Sequence, residues 1–365
     1  MRVLYLTNYA APYKVQFFDR MGKYVDLTVL FAGAEEQQVR SAAWFVEGDG
    51  GFEKVFLNKK AGSLAGEHLC LDVIHWLRKG YDKIIIGGYS SPTAMLAMAW
   101  LRLHRIPFYM SVDGGLIREE SAAKYRFKKL LVTAASEWLS SGKYTTDFLV
   151  HYGAKQEHIH EYPFSSLLEQ DIADKPVKEA EKEKLRAELG IEEPKMVLSV
   201  GQFIHRKAFD ILIRAAASLD ADTGIYIVGG EPTEEYLQMV RDLNLKNVHF
   251  VGFAKKERLA LYYKAADLFA LPTREDIWGL VIGEAMAYGL PVITTDRCVA
   301  GLELVENGVS GCIIPVEDVP ALSESIAAVF AGGCRKMGEA ALNRIRPYTI
   351  ENMVEAHIRI LNGGR

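Results

Sequence analysis

The chain has 365 residues, 49% of them hydrophobic and 25% charged, with a formal net charge of −4. This is the composition of an ordinary globular protein of about two domains, with no bulk attraction to nucleic acid or to an anionic membrane. The four cysteines (Cys70, Cys298, Cys312 and Cys334) show neither a CxxC nor a paired histidine spacing, so a zinc site and a disulfide framework are both disfavoured.

The opening residues, MRVLYLTNYAAPYK, read as a strand and a polar loop, too short and too polar for a signal peptide. No apolar run approaches the roughly 20 residues of a bilayer span. With cysteines of reduced-thiol character, the expected location is cytoplasmic. Val3–Thr7, Leu27–Phe31, Lys83–Ile86, Phe108–Ser111 and Trp138–Ser140 follow as predicted strands. The predicted helices between them are Val15–Gly22, Glu67–Lys79, Pro92–Arg102 and Ala123–Thr133. Short β-branched runs separated by helical periods predict a parallel sheet covered on both faces.

Glu169 to Pro194 is charge-dense and predicts a solvated linker with a short surface helix. A second series begins at Met196–Val200 and continues through Ile225–Val228, Val248–Val251, Leu268–Leu271, Val292–Thr294 and Gly311–Ile314, with helices between. Two α/β series joined by a polar hinge predict two lobes and a cleft. No sequence repeat or low-complexity tract is present.

Two segments of the second series carry chemistry. SVGQFIHRKAFDILIRAA is a strand, a glycine turn and a helix with Phe209, Ile211, Leu212 and Ala215 on its apolar face. Arg206 and Lys207 fall at the mouth of that helix, where cations oppose the helix dipole unless an anion lies between. ALPTREDIWGLVIGEAMAYGLPVITT, from Ala270 to Thr295, reads as a strand end, a loop, a helix opening at Gly279, and a strand at Pro291–Thr295. Loops at the carboxyl ends of parallel strands bind ligands, and a helix start suits phosphate. Asp276 stands just before this helix and Glu284 inside it, with no cation between them in sequence. A carboxylate only accepts hydrogen bonds, so each suits sugar hydroxyls.

The Ala270–Thr295 segment resembles the Glu-x7-Glu signature of family 4 retaining glycosyltransferases, whose bilobal fold is called GT-B. The run from Glu284 to Ile293, EAMAYGLPVI, matches closely. Asp276 stands where the family usually has its first glutamate, with Glu275 beside it, and either acid could take the role. The resemblance implies an α/β protein of two Rossmann-like lobes, their parallel sheets facing a central cleft, with a last helix near Ile350–Leu361 crossing back to the first lobe. Residues 1–166 plus 347–365 are then the acceptor-binding lobe and residues 167–346 the donor-binding lobe. It implies a hexosyltransferase of polysaccharide biosynthesis. Such an enzyme moves sugar from a UDP- or GDP-linked donor to a hydroxyl of a glycan or lipid-linked glycan, with no metal or other cofactor.

Residue by residue, the resemblance places Glu284 on the donor ribose, Asp276 on the transferred sugar and Lys207 on the diphosphate. Lys207 matches the family's Gly-Arg-x4-Lys; Gln202 replaces its arginine, so Arg206 becomes the candidate second cation. Gly201, Gln202, Gly230, Gly252, Phe253, Glu275, Ile277, Trp278, Gly279 and Leu280 complete the donor set, with Gly279 and Leu280 offering helix-start N–H groups. The turn Val299 to Glu303 resembles the family's Gly-Gly-x-x-Glu with one glycine lost, and ranks second.

Acceptor-side candidates lie in the first lobe: Asn8, Tyr13 and Lys14, in a loop where the family often has Gly-Gly, then Tyr89, and Asp113 where many relatives have a histidine. Aromatic faces suit sugar rings, yet Tyr9 and Tyr13 could equally anchor the loop. The stretch Ala123 to Leu131 is basic on one side and apolar on the other. The favoured reading is a core-facing helix with a solvated lysine face, and peripheral contact with the inner face of a membrane stays open. Two other readings remain: a GT-B sugar-nucleotide epimerase, and a non-catalytic nucleotide-sugar-binding protein. A dinucleotide oxidoreductase is disfavoured, because no G-x-G-x-x-G follows the first strand.

Overall fold

The computed structural model describes residues 1–33, 50–58, 60–64 and 67–364, and these divide into two compact units. Unit 1 comprises Met1–Ser166 with Thr349–Arg365, and unit 2 comprises Leu167–Tyr348.

Unit 1 opens with β1 (Arg2–Thr7), α1 (Pro12–Met21), β2 (Asp26–Phe31), β3 (Glu53–Phe56), β4 (Lys60–Leu64), β5 (Glu67–Cys70) and α2 (Val73–Leu77). It continues with β6 (Lys83–Gly87), α3 (Pro92–Leu103), β7 (Tyr109–Val112), α4 (Ala122–Val132), β8 (Glu137–Ser140), α5 (Lys143–His151) and β9 (Ile159–Glu161). Seven strands form one parallel sheet in the order β3-β2-β1-β6-β7-β8-β9. β1 and β2 are buried along nearly their whole length, the pattern of strands covered on both faces. Local chemistry sets the helix starts. Ser91 accepts from the Ala94 N–H ahead of Pro92, and Ser121 accepts from the Lys124 N–H.

Two expectations are corrected by the fold. The predicted helix Glu67–Lys79 begins instead as β5, antiparallel to β4, and only Val73–Leu77 is helical. The β4–β5 pairing supplies a hairpin partner that local periodicity does not show. Helix α4 lays one side on the core of unit 1, as expected: Val132 belongs to that core and Tyr125 and Leu131 pack against it, while Phe127 and Leu130 on the outer side are 51% and 60% exposed. Its inner side is held by polar anchors, with Lys128 Nζ 2.7 Å from a Glu120 carboxylate oxygen and Tyr125 donating to the His151 carbonyl.

Unit 2 contains α6 (Glu179–Leu189), β10 (Lys195–Val200), α7 (Phe209–Ala216), β11 (Thr223–Val228), α8 (Glu234–Asp242), β12 (Val248–Val251) and α9 (Lys256–Ala265). After these come β13 (Leu268–Leu271), α10 (Leu280–Ala287), β14 (Val292–Thr295), α11 (Val299–Leu304), β15 (Gly311–Ile314), α12 (Val319–Gly332) and α13 (Cys334–Ile345). The last helix, α14 (Ile350–Leu361), belongs to unit 1, where it packs on α1.

The charge-dense stretch is the second correction. Its expected short surface helix is present as α6, but the stretch is packed into unit 2 and is not a free linker. Arg186 of α6 is 5% exposed, its guanidinium 2.6 Å from Asp267, and it also donates to the carbonyls of Pro194 and Ala265. A charge run read by composition alone hides one buried arginine whose partner lies far along the chain.

The second sheet runs β12-β11-β10-β13-β14-β15, all parallel. Counted from its first strand, this is the order 3-2-1-4-5-6 of the dinucleotide-binding fold, which reverses between β10 and β13. Ser199 on β10 bridges that point by donating to the Ala270 carbonyl of β13 at 2.6 Å. In unit 1 the same reversal falls between β1 and β6. In such sheets the crevice beyond the strand ends at the reversal is where ligands bind.

Candidate active site

The loops leaving β10 and β13 flank the reversal point of the second sheet, and they carry the charged residues singled out above. After β10 the chain turns at Gly201, and His205–Lys207 form a single 3-10 turn ahead of α7. Ala208 takes a left-handed backbone (φ 54°) while fully buried, which aims the turn back toward the loop after β13. Lys207 Nζ lies 2.6 Å from Asp276 Oδ2, and an Arg206 guanidinium nitrogen lies 2.9 Å from Asp276 Oδ1. The same Arg206 nitrogen donates to the Glu275 carbonyl at 3.0 Å.

One carboxylate therefore receives two cations, one on each oxygen. Asp276, read from sequence as an acid without a counter-charge, has both of its partners 69–70 residues upstream in chain order. The anion demanded by cations at the mouth of α7 is, in this structure, Asp276 itself.

Asp276 is 8% exposed and its backbone is pinned. Its N–H donates to the Arg297 carbonyl, and its carbonyl accepts from the Val299 N–H. Gly279 caps α10 with φ 97°, and a Cβ there would stand 2.9 Å from Cys298 Sγ, so only glycine fits. Beneath it the Cys298 thiol donates to the Trp278 carbonyl; burial and the nearby Asp276 charge push that thiol up to about 11. Glu284, one helical stretch on, accepts from the Tyr263 hydroxyl at 3.1 Å. Burial and this carboxylate raise the Tyr263 phenol well above its ordinary value, so it stays a donor.

Two supporting residues are not among the candidates read from the sequence. Tyr263 is one. The other is Arg274, which donates through two nitrogens to the two Asp210 oxygens at 2.9 and 2.6 Å, to the His205 carbonyl at 2.8 Å and to Glu317 at 2.8 Å. Its N–H donates to the Arg206 carbonyl, which also accepts from the Thr273 hydroxyl. Arg274 thus fastens the basic turn to the acidic loop. Burial pushes the Asp210 carboxyl up, but the Arg274 bonds outweigh it and the group ends below the usual carboxylate range. The available signal was an arginine in the PTRED loop and an aspartate in the first turn of α7.

The remaining donor-side residues divide. Gly201, Gln202 and Glu275 lie in the same two loops, and the Lys207 stem runs against Gly201, where a Cβ would sit 3.3 Å from Lys207 Cε. Gly230 (φ 121°) follows β11, while Gly252 and the 55% exposed Phe253 follow β12, all at the same end of the sheet. Ile277 is 56% exposed in the acidic loop. Trp278 is 6% exposed, and its carbonyl accepts from the Cys298 thiol and the Ala300 N–H. Val299 to Glu303 lies in α11, next in sequence to the Cys298 that pairs with Asp276.

In unit 1 the acceptor-side candidates follow β1 and β6, the strands at the reversal point, and the adjacent β7. Lys14 Nζ donates to Thr7 Oγ1 at 3.0 Å, and Asn8 accepts through its carbonyl from Gly33. The Tyr13 ring meets Phe164 edge-on at 5.9 Å, and Tyr89 stacks on Phe148 at 6.3 Å. Tyr13 lies in the first turn of α1 and Tyr89 in the loop after β6, both partly buried. Asp113 accepts from the buried Tyr162 hydroxyl at 3.2 Å. Among the described residues, no cluster of three His, Cys, Asp or Glu could hold a metal ion, and no helix is long and apolar enough to cross a membrane.

Known structures share this architecture along the whole chain. Sucrose-phosphate synthase from Thermosynechococcus elongatus superimposes with a TM-score of 0.78 over 100% of this chain and 98% of that one, at 19% identity. Anabaena Alr3699/HepE in complex with UDP and glucose gives 0.76 over 100% of both, also at 19% identity. The fold is GT-B.

Residues 181–344 match the family model of glycosyl transferases group 1. That span holds both loops of the charged cluster. Among curated proteins, D-inositol 3-phosphate glycosyltransferase of Mycolicibacterium gilvum is 31% identical over 180 residues, 47% of this chain and 40% of that protein. Mannosylfructose-phosphate synthase of Agrobacterium fabrum is 33% identical over 157 residues, 40% of this chain and 34% of its own length. The chain thus spans less than half the length of these curated relatives.

Proposed function

We propose that this protein is a retaining glycosyltransferase of family 4 type, moving a hexose-type sugar from a UDP- or GDP-linked donor to a hydroxyl of a glycan or lipid-linked glycan. The observation that carries the reading is the convergence of Lys207 and Arg206 on Asp276 at the reversal point of a 3-2-1-4-5-6 sheet. Breaking the bond between an anomeric carbon and a nucleoside diphosphate leaves added negative charge on the phosphate. Cations fixed in advance beside that charge lower the barrier, commonly by about 3–4 kcal/mol for one such group. Lys207 and Arg206 take this part without a metal ion. Glu284, oriented by Tyr263, holds the ribose, and Asp276 holds the transferred sugar. In the step itself, the bond from the anomeric carbon to the phosphate oxygen breaks and a bond to the acceptor oxygen forms on the same face. The acceptor proton passes to the leaving phosphate oxygen. Unit 2 is the donor side and unit 1 the acceptor side, with Asn8, Lys14 and Asp113 as its polar groups.

The outward face of α4 supports a peripheral membrane role within this reading, at the cytoplasmic leaflet. Exposed Phe127 and Leu130 lie between Lys124, Arg126 and Lys129, the composition of a helix that rests on anionic lipid.

The test is a panel of UDP-, GDP- and ADP-sugars screened by thermal stabilisation, where a donor at about 100 times its Kd adds about 2.7 kcal/mol. Turnover with the stabilising donor is then followed by NMR of the anomeric proton. Stabilisation by one nucleotide class and a product with the donor's anomeric configuration support the proposal. No stabilisation by any donor refutes it. Binding without turnover on any acceptor would favour the nucleotide-sugar-binding protein, and donor epimerisation without an acceptor would favour the epimerase.

A further inference from the structure

Asp276 occupies both cations of the proposed diphosphate grip at once, on a backbone that is held in place. Its backbone is held on both sides, through Arg297 and Val299, in a bridge with Cys298. The Lys207 stem is confined against Gly201, and the turn that bears both cations is bound through Arg274 to Asp210. Lys207 and Asp276 are nearly buried, with side-chain exposures of 12% and 11%. A phosphate group reaching these cations must share them with a fixed carboxylate only a few ångströms away. Like charges at such a distance, poorly screened by solvent, repel strongly compared with thermal energy.

We infer that Asp276, besides its part on the transferred sugar, is a built-in competitor of the donor's diphosphate that weakens the grip on the spent nucleotide and hastens its release. This rests on the nucleotide-sugar reading of the site. The carboxylate serves as an internal anion: it keeps two cations in place and offsets one of their two charges when no phosphate is bound. An intact donor compensates the repulsion through sugar hydroxyls donated to that same carboxylate. The released nucleoside diphosphate has no such hydroxyls, so it bears the repulsion alone. The acid therefore discriminates between donor and product through the part of the ligand that the reaction removes.

The experiment measures Kd and dissociation rate of UDP, GDP and ADP for the wild-type protein and for Asp276→Asn, at low and high salt. Asparagine keeps the shape and a carbonyl oxygen for Lys207 but lacks the charge. The expected result is about tenfold or tighter binding of the nucleoside diphosphate that wild type prefers, a difference of about 1.4 kcal/mol or more by the standard relation. The gain should come mainly from slower dissociation, and it should shrink at high salt. Turnover with the sugar nucleotide should fall in the same variant. The gain should vanish in Lys207→Ala/Asp276→Asn, because the released cation is its source. Asp276→Ser, a smaller neutral variant, carries the same expectation should the asparagine protein not fold. Equal or weaker nucleoside diphosphate binding in the folded neutral variants overturns the inference while leaving the donor-site reading intact. Absence of binding to UDP, GDP and ADP by the wild-type protein overturns both.

Discussion

Replacing Arg274 by alanine removes the guanidinium that joins the basic turn to the acidic loop, and its cost can be worked from the contacts. The Arg274–Asp210 pair is bidentate at 2.6 and 2.9 Å, with side-chain exposures of 17% and 14%. Removing one partner of a buried pair costs roughly 3–5 kcal/mol, because the other charge is left without compensation. Residual solvent access to Asp210 brings this to the lower end. The bond to Glu317, whose side chain is 60% exposed, adds little. The expected loss is therefore about 3 kcal/mol, which in a domain of this size lowers Tm by roughly 2–4 °C for each kcal/mol. Arg274→Lys should recover only part of it, since an ammonium cannot form the two-pronged contact. Urea unfolding followed by circular dichroism measures the loss. A double-mutant cycle with Asp210→Asn should give a coupling of about 1–3 kcal/mol. Arg274→Ala within 0.5 kcal/mol of wild type would refute the latch.

His357 on α14 is 1% exposed, with Nδ1 donating to the Met353 carbonyl and its ring between Phe17 and Tyr162. Burial lowers its pKa from 6.5 to about 4, only partly offset by the Met353 bond. Above pH 6.5 the ring is neutral in both folded and unfolded chains. Between 6.5 and 4 mainly the unfolded chain takes a proton, so stability falls with pH by a total of about 3 kcal/mol. His357→Asn should flatten that limb of the stability–pH curve, and an unchanged slope would contradict the assignment. For α4, Phe127→Ser/Leu130→Ser should abolish sedimentation with anionic vesicles while leaving donor binding unchanged; equal sedimentation of the variant would remove the membrane role.

The fold class was legible because strands buried on both faces are written as short β-branched runs, and β11 (TGIYIV) and β1 (RVLYLT) show it plainly. The loops that bear the site were legible for a related reason: a glycine turn after a strand, then charges before a helix, is a local pattern. What escaped is what depends on distant partners. Lys207 and Asp276 each stood out alone, but their pairing spans 69 residues of sequence and follows from the adjacency of β10 and β13. Arg186 hid in a charge run because its partner, Asp267, lies 81 residues on. The amphipathic α4 has a helical period that fits a core-facing or an outward-facing helix equally well. The contacts of Tyr125, Leu131 and Val132 with the core, together with Lys128 on Glu120, show which side is anchored.

The central claim is that the cations at the start of α7 grip the diphosphate of a sugar nucleotide, and Lys207→Ala tests it most directly. Steady-state kinetics with the donor used by the wild-type protein should show kcat/KM lowered by roughly a hundredfold or more, as for loss of one charge-stabilising donor. Nucleoside diphosphate binding should weaken in the same variant, with the circular dichroism spectrum unchanged. Kinetics and nucleotide affinity close to wild type, in a protein shown to be folded, would contradict the account.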